Sequence, residues 1–222
     1  MRANPNLDRR AALGMVGAGL AATAGCLGGA DEGTAAEDHP AMRGVDDQPA
    51  LGPPPGDAEA TIVAFEDPSC HRCRAFALET VPKIESNLVE PGTATYVYRW
   101  YPVVYEWGKP ATKSLAATFE RDADAFWALQ EHYYRTQSEF STGNVLDRTR
   151  AFLDAETAVD GTEVVDAVEA GEADDAVQRN LDAGEAADAN TTPSVYLFKE
   201  GEFRTKASGS VSYDAIESAL GL

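Results

Sequence analysis

The stretch Thr61-Ile62-Val63-Ala64-Phe65-Glu66-Asp67-Pro68-Ser69-Cys70-His71-Arg72-Cys73-Arg74-Ala75-Phe76-Ala77-Leu78-Glu79 decides the reading of this chain. Thr61 to Phe65 is short, apolar and β-favouring, whereas the residues after Cys73 place apolar side chains at helical spacing. The junction predicts a strand that ends just before Cys70 and a helix that starts there. At a helix N-terminus the unpaired backbone N–H groups and the positive end of the dipole favour a thiolate over a thiol. Cys73, one turn further in, faces back towards Cys70. The spacing suits a nucleophile and a resolving cysteine, and reversible thiol–disulfide chemistry.

A C-x-x-C pair is also half of many zinc sites, but a tetrahedral structural site needs four ligands. The chain has three cysteines and three histidines, and Cys26, His39 and His132 show no ligand-like spacing. A Cu(I) site using both thiolates, and with it a metallochaperone-type module, is the alternative from another class. No bound cofactor is called for.

Working outward, Arg9-Arg10 is followed by an uncharged Ala/Gly-rich run that ends in Thr23-Ala24-Gly25-Cys26. This pattern resembles a twin-arginine export signal closed by a lipobox, with Cys26 as the lipidation site, and it sets residues 1–26 apart as a signal. The uncharged run is shorter than the ~20 residues that cross a bilayer core. With Cys26 consumed by lipid, only Cys70 and Cys73 remain to form a disulfide. Residues 27–57, rich in Gly, Asp, Glu and Pro, read as a disordered tether in which His39 and Met42 are solvated. The remaining span, 58–222, is long enough for one domain with a core.

The net charge of −19 argues against nucleic acid as a partner. Only five of the 18 basic residues are lysines (Lys83, Lys109, Lys113, Lys199 and Lys206). An acidic, Lys-poor surface of this kind resembles proteins of halophilic archaea, where salt screens carboxylate repulsion.

Pro82 should kink or end the first helix. Thr95 to Tyr101 reads as a second strand covered on both faces. A helical block follows from about 109 to 188, broken near Arg121-Asp122. Ser194 to Phe198, a turn at Glu200-Gly201, Glu202 to Ser208, and Tyr213 to Leu220 complete the pattern as strand, strand and helix. The order is βαβ, helical insertion, ββα.

Phe65-x-Asp67-x-x-Cys70-x-x-Cys73, the insertion, and Thr192-Pro193 immediately before a strand together resemble a DsbA-like member of the thioredoxin superfamily, over 58–222. The resemblance implies an α/β thioredoxin-like fold whose βαβ and ββα halves are separated by the insertion. It also implies a cis peptide bond at Pro193 facing the cysteines, and backbone contact between Thr192 and a substrate strand. The chemistry implied is oxidation of dithiols in exported, cysteine-containing proteins at the outer face of the cell membrane, with a membrane redox partner restoring the disulfide. Reduction or isomerisation by the same fold is the alternative direction.

Beside Cys70, His71 and Arg72 are placed to favour its thiolate. In many relatives an acid lies buried six residues before the first cysteine. Here that position is Ala64, so Glu66 and Asp67 are the candidates to move a proton to and from Cys73, or else to flank the helix.

Overall fold

The computed structural model describes residues 33–222. Arg9-Arg10 and Cys26, and with them the export and lipidation readings, lie outside the described residues.

A five-stranded sheet of order β1-β3-β2-β4-β5 organises the molecule. β2 (Ala60–Glu66) and β3 (Ala94–Trp100) are parallel, as a connection through helix requires, while β4 (Ser194–Lys199) runs antiparallel to β2 and to β5 (Glu202–Ser208). Both central strands are buried along their whole length. Side-chain alternation then sorts them. Ile62, Ala64, Tyr96 and Tyr98 join the large core under the helices, and Val63, Phe65 and Val97 join a smaller core on the opposite face. The thioredoxin-like α/β fold follows the expected order of elements.

The helix after the cysteines does not end at Pro82. It runs from α1 (His71–Ala75) through a π-helical turn (Phe76–Thr80) into α2 (Val81–Ile84) and a second wide turn (Glu85–Val89). Widening ahead of a proline absorbs the missing N–H and the ring clash without breaking the rod. The insertion contains α3 (Gly108–Phe119), α4 (Ala123–Arg135), α5 (Val145–Glu156), α6 (Gly161–Ala170) and α7 (Asp174–Ala186). Asp122 caps α4 by accepting from the Ala125 amide, which explains the break before it. α8 (Tyr213–Leu220) closes the chain over the sheet through Ile216 and Leu220.

The tether expected over 27–57 is corrected from residue 34 onward. Short 3₁₀ turns at Ala36–Asp38, Pro40–Met42 and Val45–Asp47 lead into β1 (Ala50–Leu51), which pairs antiparallel with β3. His39, expected in solvent, is 1% exposed and stacks on Phe203 at 4.5 Å. Met42 is partly buried against the smaller core. The strap is held by Arg99, itself buried, whose Nη1 donates to Ala41 O and whose Nε donates to Asn180 Oδ1 of α7, each at 2.7 Å. A few anchors, Ala41 and Val45 among them, suffice to order a polar segment when a sheet face is waiting for them.

Candidate active site

The sheet delivers the cysteines at the C-terminal end of β2. The turn from Asp67 to Cys70 closes when the Cys70 amide donates to Asp67 O at 3.0 Å, and Cys70, with extended φ and ψ of −81° and 123°, is the N-cap of α1. Its carbonyl accepts the first helical bond, from the Arg74 amide at 3.0 Å. Cys73 is fully buried, and its Sγ accepts from the Asp67 amide at 3.5 Å. The Thr192–Pro193 peptide bond is cis, and the Cys70 thiol donates to Thr192 O at 3.3 Å. So residues 122 positions apart in sequence meet at the sulfur.

The two thiols are made unequal. The Cys70 pKa falls from 9.0 to about 5, first because the Cys73 thiol donates to its sulfur; burial opposes this, and the Thr192 side chain and the Cys73 and Arg72 amides add to it. The Thr192 hydroxyl is buried and has no partner while the thiol points at the carbonyl, so it is free to turn towards a thiolate. Cys73 moves the other way, pushed well above the usual thiol range by burial and then by its bond to Cys70. One sulfur is a ready nucleophile near neutral pH, and the other retains its proton.

Arg72 acts on Cys70 through its amide at the helix start. Its guanidinium extends instead towards Gly209, whose amide donates to Pro193 O at 2.9 Å. The His71 ring meets Tyr105 edge-on at 6.0 Å.

The two acids part company. Glu66 shares the face of β2 occupied by Ala64, one pleat further on, and is completely buried. Its carboxyl accepts from the Tyr96 hydroxyl and, at 2.9 Å, from the Tyr134 hydroxyl. Burial raises its pKa to about 8 against those two bonds. Asp67 is also buried, but its Oδ1 accepts from the Ser69 amide (2.7 Å) and hydroxyl (2.6 Å), and its Oδ2 accepts from the Val103 and Val104 amides (both 2.8 Å).

Sequence reading missed the insertion's part in this site. Tyr134 of α4 packs against both cysteines while bonding Glu66, and its carbonyl accepts from Arg74 Nε at 2.9 Å. Gln137 donates through Nε2 to Pro68 O at 2.8 Å and to Cys70 O at 3.0 Å. A helical period marks Tyr134 as inward-facing, but nothing local says that inward means the cysteines. Among the described residues, no three His, Cys, Asp or Glu side chains gather as a metal-ligand set.

A family model described as thioredoxin matches residues 46–220. The chain belongs to the thioredoxin family. Within this thioredoxin fold, the structure of BdbD from Bacillus subtilis in its oxidised state superposes with a TM-score of 0.69 at 19% identity, covering 86% of this chain and 97% of that one. Chlamydia trachomatis DsbA superposes with a TM-score of 0.64 at 17% identity, covering 85% and 91%. By sequence, this thioredoxin-family chain is 26% identical over 101 residues to disulfide bond formation protein D of Bacillus subtilis. That match spans 46% of the chain and 43% of the relative, less than half the length of either.

Proposed function

We propose that this protein is a thiol–disulfide oxidoreductase that oxidises dithiols in exported proteins. The observation that carries the reading is the asymmetric pair: Cys70 is depressed to about 5 at a helix start and in contact with Thr192 O, beside a buried Cys73 that holds its proton. The relatives named for disulfide bond formation support the same class.

In the proposed reaction a substrate thiolate attacks Cys70 Sγ, the Cys70–Cys73 bond breaks, and Cys73 leaves as a thiolate that takes up a proton. The substrate's second thiolate then attacks the mixed disulfide at its own sulfur, releasing Cys70 as a thiolate and the substrate as a disulfide. Stabilising the Cys70 thiolate stabilises the reduced enzyme, which makes its disulfide the stronger oxidant, by about 30 mV for each 1.4 kcal/mol. That favours oxidation over reduction or isomerisation. Thr192 O, the acceptor beside Cys70, presents main chain to an extended substrate, so recognition rests on backbone more than on side chains.

Glu66 is the acid suited to proton exchange with Cys73, since a carboxyl near 8 is neutral at pH 7 and close to its midpoint. The Thr23-Ala24-Gly25-Cys26 sequence supports a lipid anchor on Cys26 that holds the domain at the extracytoplasmic face of the membrane. A membrane redox partner there would accept the electrons. The acidic surface supports a saline environment.

The test is to titrate the Cys70–Cys73 couple in redox buffer and to trap partners with Cys73→Ala. The expected results are a potential on the oxidising side and mixed disulfides through Cys70. Tight stoichiometric Cu(I) binding with no trapped thiol partner would overturn the reading. Cys26→Ser should release the protein from membranes, and retention there would defeat the anchor.

A further inference from the structure

On a chain of net charge −19, surface cations find carboxylates nearby: Lys113 pairs with Asp174 and Arg135 with Glu131, each at 2.6 Å, and Lys206 pairs with Asp188 at 3.6 Å. Arg72, exposed between the two cysteines, is different. Among the described residues no carboxylate pairs with it. It also stands in the first turn of the cysteine helix, where the dipole disfavours a cation, so folding gains little from the charge. The segments that meet there add no exposed acid. Residues 189–194 and 207–212, which carry the cis Pro193 and the Gly209 that bonds it, are uncharged. The nearby Glu66 and Asp67 are completely buried and accept from internal donors. The guanidinium lies against Gly209, with Nη1 3.6 Å from where a Cβ would stand, and the Gly209 amide donates to Pro193 O at 2.9 Å. An unneutralised cation therefore flanks the main chain that faces Cys70.

We infer that Arg72 is a specificity-determining residue that pairs with a carboxylate close to the reacting cysteine of a substrate strand. The inference rests on the oxidoreductase reading and adds a charge preference to its backbone recognition. A strand advances about 3.3 Å per residue, so an Asp or Glu one or two positions from the cysteine falls beside the Thr192–Pro193 main chain, where the guanidinium lies. Substrates that share a saline setting share the need for acidic surfaces, and a −19 enzyme repels them. Arg72 reverses that sign at the one place where contact is required. Its planar fork suits the task, because the Debye length is only about 3 Å at 1 M salt. Such screening removes a diffuse field but spares a bidentate pair in contact.

The experiment measures the second-order rate at which two synthetic dithiol peptides reduce the oxidised protein, with Asp flanking the first cysteine in one and Asn in the other. Dithiothreitol, which is uncharged, serves as a third reductant. Arg72→Gln should lower the Asp-to-Asn rate ratio by roughly twofold to fivefold, the size of a well-made exposed ion pair. The intrinsic reactivity of each peptide and the potential of the protein disulfide cancel when the ratios of wild type and variant are compared. Lys83→Gln removes the same charge from exposed α2, further along the rod, and should leave the ratio as it is. The Arg72 effect should persist in 1 M KCl. An unchanged ratio in Arg72→Gln, an equal fall in Lys83→Gln, or disappearance of the effect in 1 M KCl overturns the contact, while oxidation of dithiothreitol leaves the oxidoreductase reading standing. Slower reaction of Arg72→Gln with all three reductants at an unchanged ratio would make Arg72 a thiolate-tuning group only, and would also overturn it. Failure of the wild-type disulfide to oxidise dithiothreitol removes both readings.

Discussion

Glu66 and Asp67 are adjacent in sequence, both buried, and both pushed up from the ordinary carboxylate range by loss of solvent. They lie in two regions that treat a carboxyl in opposite ways. Behind the cysteines, Glu66 has two tyrosine hydroxyls as donors. In the turn ahead of Cys70, Asp67 has three amides and a serine hydroxyl. A carboxylate surrounded by four donors is a structural anion, whereas one with two phenols in an apolar pocket can change its charge near neutral pH. The number of donors, set against the desolvation that both carboxyls suffer, separates a pin from a proton carrier.

The largest expected break in that comparison is Asp67→Ala. It strips the acceptor from four donors at once, and the Ser69 end is fully enclosed. Unsatisfied buried groups cost about 1–3 kcal/mol each, with water recovering part of the cost at the loop amides, so a loss on the order of 3 kcal/mol is expected. Denaturant unfolding of the reduced protein measures it. Glu66→Gln at pH 6 should cost about 1 kcal/mol or less, because the tyrosine hydroxyls can donate or accept. Equal losses at the two positions would erase the distinction.

A smaller effect separates the acids by pH. Glu66 in the folded protein binds its proton up to about 8, and in the unfolded chain only to about 4.5. The contribution is full below 4.5 and declines as pH rises through about 8, since the folded state holds the extra proton across that window. Cys70 works in the opposite sense when reduced. Its depressed pKa contributes stability fully above 9.0, and that stability is lost as pH falls through about 5. With the Cys70–Cys73 disulfide closed neither of these two thiols titrates, so unfolding of wild type and Glu66→Gln compared against pH in that state isolates the carboxyl. Wild type should lose stability relative to Glu66→Gln as pH rises from 4.5 towards the folded midpoint, which burial still raises but to which the Cys70 charge no longer adds, and parallel profiles would mean that Glu66 is charged throughout.

How much of this was legible beforehand follows from the range of the interactions. β2, the Cys70 helix start and the β4–β5 hairpin are local. Glu200 and Gly201 form that hairpin's turn with φ of 54° and 77°, the left-handed pair a two-residue connection needs. The Thr192–Pro193 bond was also anticipated, through the resemblance and not through spacing. The strap was hidden because its composition is that of a linker, and its order comes from the sheet face under His39 and Ala41. Glu66 could be named as a candidate but not separated from Asp67. Its pocket is assembled from Tyr96 on another strand and Tyr134 on a helix 68 residues away, and neither donor is visible in the local pattern.

The smallest effect tests whether donors set the acidity of Glu66. Tyr134→Phe keeps the ring packed on Cys70 and Cys73 and removes only the hydroxyl that bonds Oε2. That bond favours the ionised carboxyl and holds the pKa down. Without it the midpoint should rise further, by about one pH unit for a bond worth ~1.4 kcal/mol more to the charged form. The loss of the protonated-carboxyl band in infrared spectra, followed against pH in the oxidised protein, reads the midpoint directly. Packing alone would leave it where it is, so an unmoved midpoint would mean that burial and the Tyr96 hydroxyl set Glu66 without Tyr134. The contrast with Asp67 would then reduce to the shape of two pockets. A rise makes the helical insertion part of the proton chemistry, because the group that tunes Glu66 is carried on α4 and seated by Arg74 from the cysteine helix.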